Sequence, residues 1–213
     1  QFKDQDDIVG LFLAWSGLVN TIMLGNVGYA KLDELMNDLE QRRDEFDELP
    51  SDEIRARVAC GMYAIMAYRY PKYPEADFWG KLALDITLRT GDIDAFIITM
   101  FNKAYLQIVS LGNLKQMEED IKTLLQLDDT LGVSELGRLY IHAAETNYFA
   151  VIVQHEACVH AAEKGLDLAQ VSGIHVWDIF LLGKAAMSSQ NVGDYVKAAR
   201  YLDLLSSYED EPR

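Results

Sequence analysis

Apolar residues recur every three or four positions along almost the whole chain, and alternating β-branched runs are scarce. That period belongs to amphipathic helices, not strands. Leu32, Leu35, Met36 and Leu39 form one stripe, with Asp33, Glu34, Asp38 and Glu40 on the other face. Leu114, Met117, Ile121, Leu124 and Leu125 form another. The pattern predicts ten helices, at 7–24, 28–46, 51–69, 75–89, 92–111, 113–127, 134–153, 155–171, 174–191 and 194–207. The four prolines, Pro50, Pro71, Pro74 and Pro212, all fall outside these segments, which leaves the helices unbroken.

The breaks between helices recur. LGN stands at 24–26 and again at 111–113, and QNVGD at 190–194. Gly25, Gly112 and Gly193 each follow an apolar helix and precede an amphipathic one, the place of a left-handed C-cap glycine. The corresponding breaks in the other units fall at Tyr70-Pro71 and Gln154-His155. Markers at 25, 70, 112, 154 and 193 are spaced by 45, 42, 42 and 39 residues. Five antiparallel helical hairpins follow, an all-α superhelix of the solenoid kind. In each hairpin the first helix is the more apolar, as expected of an inner helix with neighbours on several sides. The polar stretch 206–213 reads as a tail on one helical-repeat domain spanning 1–213.

The run from Ile8 to Ala30 holds no charged residue and is long enough to cross a bilayer. Ser16, Asn20, Thr21 and Asn26 dilute its hydrophobicity, and Lys3 before it is surrounded by Asp4, Asp6 and Asp7. A membrane anchor or signal peptide wants the opposite flanking charge. The LGN break inside the run makes it one buried inner helix, a stop and the start of the next helix.

Charge narrows the partners. The net charge is −15, with an isoelectric point near 4.5, so phosphate backbones and anionic lipid surfaces are repelled. No cluster of Lys or Arg relieves this, which argues against direct nucleic-acid binding. Cys60 and Cys158 sit far apart within apolar helical patterns and read as small core residues. Beginning at Gln1 and ending in SSYEDEPR, the sequence is expected to be an excised piece of a longer protein.

Residues 193–202, GDYVKAARYL, resemble the turn and second helix of a tetratricopeptide repeat, with Gly193 at the turn, Tyr195 after it and Ala198 at the tight contact. LGNVGYAKLDEL, 24–35, is a weaker version with Ala30. The period exceeds that repeat's usual length, so the helices are longer than in a regular array. LAWSGLVNTI (13–22), ARVACGMYAIMAYRYPKYPEADFW (56–79) and SGIHVWDIFLLGKAAMSSQNVGDYVKAARYL (172–202) together resemble the helical-repeat region of large bacterial transcriptional regulators of the MalT-like, LuxR-type class. The resemblance implies a tetratricopeptide-like sensor that receives a small-molecule effector or a protein partner. In that class the sensor is coupled to an NTPase module and a helix-turn-helix DNA-binding domain. Neither signature occurs here: there is no GxxxxGKS/T phosphate loop and no basic recognition helix.

Candidate chemistry is sparse. HEACVH, 155–160, holds zinc-competent residues, but on a helix His160 points about 140° away from His155. No GxSxG nucleophile elbow appears, and the carboxylate runs Glu118-Glu119-Asp120 and Asp44 to Glu48 lie on outer-helix faces. The expectation is a non-enzymatic, cytoplasmic chain without cofactor or metal. Overlaying the five hairpins puts Ser16, Gly61, Lys103, Glu145 and Lys184 at equivalent places, nine residues before each marker. The last three alternate in charge, and equivalent helices of adjacent repeats lie roughly 10 Å apart. They form either a salt-bridge ladder fixing repeat register or the lining of a concave groove with Trp15, Asn20, Asn102, His142 and Asn147. Such a groove would take an effector, a peptide or a partner helix, the last two also fitting a stand-alone scaffold. Unfinished apolar ends also leave room for a homodimer.

Overall fold

The computed structural model describes residues 7–25, 28–108 and 112–208. Among the described residues there are eleven α-helices and no strand. The chain forms two compact units, Gln1–Asn113 and Leu114–Arg213. Their boundary falls between the two helices of the third expected hairpin.

The first unit contains α1 (Ile8–Gly25), α2 (Lys31–Glu40), α3 (Arg43–Asp47), α4 (Asp52–Arg69), α5 (Ala76–Thr90) and α6 (Ile93–Leu106). Helix α4 is its centre. Positions 61–67 are buried without interruption, because α4 packs against α1, α2, α5 and α6. Ser51 caps it by accepting a hydrogen bond from the Ile54 amide, and Asp52 and Glu53 complement the dipole of its first turn. The core joins Phe12, Trp15 and Val19 of α1 to Leu32 and Met36 of α2, Met62 and Met66 of α4 and Trp79 of α5.

The second unit contains α7 (Leu114–Leu127), α8 (Glu135–Val151), α9 (His155–Ser172), α10 (Asp178–Asn191) and α11 (Tyr195–Ser207). Helix α9 presents Cys158, Ala161, Ala162, Gly165 and Ala169 to its neighbours, and these small residues let α8 and α10 come close. In both units first helices lie side by side, α1 on α4 on α6 and α8 on α10, while α5 and α9 each pack on the helix before and the helix after. Such packing of consecutive helices makes an all-α helical repeat.

Three expectations need correction. The single helix over 28–46 is two, broken at Arg42 (φ −116°, ψ 20°). Glu40 opposes the dipole at the end of α2, whereas Asp44 and Glu45 favour the start of a new helix. Gly25 is the last residue of α1, and the left-handed conformation in that connection belongs to Gly28 (φ 73°), although Gly112 (φ 62°) and Gly193 (φ 82°) do adopt it. The uncharged run is not a fully buried inner helix. Helix α1 buries Phe12, Trp15, Ser16 and Val19 and leaves Leu18 54% exposed. By length and composition it is the one described helix apolar enough to span a bilayer.

One turn recurs with its hydrogen bonds intact. Between α10 and α11 the amides of Val192, Gly193 and Asp194 bond to the carbonyls of Ser188, Gln190 and Ser189. Between α8 and α9 the amides of Ile152, Val153 and Gln154 bond to those of Tyr148, Ala150 and Phe149 at the same offsets. Both are Schellman-type ends, and Val153 (φ 61°) occupies the left-handed position that Gly193 occupies 40 residues later.

Candidate functional site

The residues singled out in the sequence divide between the units. In the first, Trp15 is buried and its Nε1 donates to the Leu35 carbonyl at 2.7 Å, so the indole ties α1 to α2. Asn20 is exposed and Asn102 buried. Lys103 lines a cavity of about 600 Å³ with Tyr63, Lys72, Tyr73, Lys81 and Gln107, rimmed by the RYPKYP turn. Nearby in the sequence, Tyr68 stacks between Tyr29 and Tyr105, at 5.8 and 4.3 Å.

In the second unit His142 is buried and Asn147 half-buried, and the Nδ1 of His142 stands 3.9 Å from the Glu145 carboxylate, beyond a hydrogen bond. The Nζ of Lys184 lies 5.4 Å from the centre of the Phe180 ring, and burial pulls its pKa down. Among the described residues Glu145 and Lys184 therefore form no ion pair. That rung of the expected ladder is absent.

The most constructed polar site lies among α9, α10 and α11, a cleft of about 510 Å³. Helix α9 contributes a polar stripe at helical spacing, His160, Glu163, Lys164, Asp167 and Gln170. Helix α11 contributes Arg200, Tyr201 and Leu204, with Tyr208 at its C-cap, and α10 contributes Asp178 and Leu182, with His175 in the turn before it. Two carboxylate–phenol pairs fix its walls. Tyr201 donates to Glu163 Oε1 at 2.6 Å, and Lys197 pairs with the same oxygen at 2.8 Å. Asp178 Oδ2 accepts from Tyr208 and lies 2.9 Å from His175 Nδ1.

Glu163 and Tyr201 are both shifted from their ordinary values. Burial pushes Glu163 up, but the hydrogen bonds from Lys197 and Tyr201 outweigh it and leave the carboxyl below its ordinary range. Burial, reinforced by the Glu163 carboxylate, pushes the Tyr201 phenol well above its ordinary value. Asp178 is only 4% exposed, and its Oδ1 has no hydrogen-bond donor. An unsatisfied buried carboxylate oxygen is costly and calls for a reason.

Sequence reasoning missed this cleft because a polar stripe on an outer helix also describes a solvated face. Its only sequence signal is the match between the α9 stripe and the aromatic-bearing Arg200-Tyr201 and Tyr208 on a helix two elements away. Of HEACVH, Cys158 enters the core while His160 lines the cleft. Among the described residues no three His, Cys, Asp or Glu side chains group closely enough to hold a metal ion. No protein-family model and no curated protein matches the chain.

Proposed function

We propose that this chain is a non-enzymatic sensor module, the helical-repeat part of a bacterial transcriptional regulator in the cytoplasm, and that the cleft among α9, α10 and α11 receives a small-molecule effector. The observation that carries this is the buried Asp178, with one oxygen unsatisfied, in the wall of a cleft of ligand size. The tetratricopeptide-like segment 193–202 supports the regulatory part of the reading. An effector bridging three helices stabilises one packing of them over others, which is how binding becomes a signal. A thermal-shift screen of small metabolites on the full chain tests it. Compounds that raise the melting temperature should lose their effect in Asp178→Asn or Arg200→Gln, and hits indifferent to both variants would contradict it.

A second reading, a scaffold that assembles through helix-to-helix contact, is favoured by α1. Its exposed side carries Leu18 and no charge. In a chain of net charge −15 this is where a second copy can dock without repulsion, making a homodimer. Sedimentation of the full chain tests this: Leu18→Glu should convert dimer to monomer. A wild-type monomer at high concentration, or a chain that floats with neutral vesicles, would contradict it.

A further inference from the structure

The effector class can be read from how charge is distributed along the cleft, on the reading that this cleft is the effector site. The Glu163–Tyr201 contact links α9 to α11, and the Asp178–Tyr208 contact puts the start of α10 at the end of α11, so α10 runs back between the two. One end of the cleft is therefore lined by the earlier parts of α9 and α11, and the other by their later parts and the start of α10.

The two ends differ in sign. At the first stand Lys164 and Arg200, neither with an ion-pair partner among the described residues, beside His160. The carboxylate at that end, Glu163, is already engaged by Lys197 and Tyr201. At the second end stand Asp178, buried and short of one donor at Oδ1, with His175 2.9 Å from its Oδ2, and Asp167, without an ion-pair partner among the described residues. Between the ends each helix contributes one leucine, Leu166, Leu182 and Leu204. From Glu163 to Gln170 along α9 the rise is roughly 10 Å.

We infer that the cleft binds a zwitterionic small molecule, an ω-amino carboxylate with a methylene spacer, its ammonium at Asp178 and its carboxylate at Arg200 and Lys164. An ammonium offers three donors and no acceptor, which matches a carboxylate that lacks one. The Tyr208 hydroxyl and the His175 imidazole, both now on Asp178 Oδ2, share that carboxylate with the incoming group. The planar fork of Arg200 suits the ligand's carboxylate, and the three leucines remove the spacer from water. A simple amine or a simple acid satisfies only one end.

Calorimetric titration of the full chain with glycine, 4-aminobutanoate, 6-aminohexanoate and 8-aminooctanoate tests this, with hexylamine and hexanoate as one-ended controls. The six- and eight-carbon zwitterions should bind at least about tenfold tighter than glycine and than either control. Arg200→Gln, on the exposed side of α11, should weaken them by about tenfold and leave hexylamine unchanged. Asp178→Asn should weaken every amine-bearing ligand. Absence of zwitterion binding, binding insensitive to both variants, or a control that binds as tightly would overturn the inference. If the zwitterions fail but another metabolite binds and loses affinity in Asp178→Asn, the effector-site reading survives without this ligand class. If no compound responds to either variant, that reading falls as well.

Discussion

Tyr201 of α11 donates its phenolic hydrogen to Glu163 of α9 at 2.6 Å, joining two helices that are not consecutive in the chain. The bond gives the second unit a pH signature. Glu163 titrates below its ordinary 4.5 when folded, so its stabilisation is present above that value and is lost as pH falls through the lowered folded value. Tyr201 titrates above its ordinary 10.0 when folded, so its stabilisation is present below that value and is lost as pH rises through the raised one. Tyr201→Phe should cost about 1 kcal/mol at neutral pH and reduce the alkaline loss of stability. Thermal melts across the pH range check it, and an alkaline limb as steep as in the wild type would contradict it.

Val153 holds a backbone conformation that a β-branched residue rarely adopts, at a turn position that the next hairpin fills with Gly193. Its side chain is 67% exposed, so little packing is at stake. Val153→Gly should stabilise the chain by about 1 kcal/mol despite adding chain entropy to the unfolded state. Denaturant unfolding measures this, and a destabilised variant would contradict it.

At Gly80 of α5 an added Cβ would stand 2.7 Å from Cε2 and 2.8 Å from Cζ of the Tyr63 ring. That ring is buried, and the added methyl forces it to shift within the contact between α4 and α5. Gly80→Ala should therefore destabilise by about 1–3 kcal/mol, although alanine is the better helix former. Wild-type stability in this variant would mean that α4 and α5 pack less closely.

Lys184 is pulled below its ordinary 10.5 by burial and has an aromatic ring, not a carboxylate, as its neighbour. Its charge opposes folding at neutral pH, and that cost fades as pH rises from the lowered folded value toward 10.5. Lys184→Met should raise the melting temperature at pH 7, by less at pH 10, and leave effector binding unchanged. A lowered melting temperature would restore an ionic role for this residue.

The architecture was legible because helical period and breaks are local properties. The turn after α10, the cap at Ser51 and the boundaries of α4 or α9 follow from residues within a few positions of one another. The break at Arg42 was harder to see, since no glycine or proline marks it and only the charges against the helix dipoles favour it. The exposed side of α1 was hidden because an apolar residue reads the same whether or not a neighbour covers it. The Glu145–Lys184 rung is absent for a related reason. Equivalent repeat positions placed Glu145 and Lys184 correctly on α8 and α10, but side-chain direction sent them to His142 and Phe180. The α9–α11 cleft depends on residues 38 and 30 positions apart meeting in space, Tyr201 with Glu163 and Tyr208 with Asp178. No local pattern announces that.

The tyrosine rings provide the most direct test of the cleft as the binding site. With ring-labelled tyrosine in the full chain, titration with 6-aminohexanoate should move the NMR signals of Tyr201 and Tyr208, assigned by their Phe variants, in one saturable step. The signals of Tyr70 and Tyr73, in the first unit, should stay in place. Shifts confined to the first-unit tyrosines, or no shift at saturating ligand, would contradict the account.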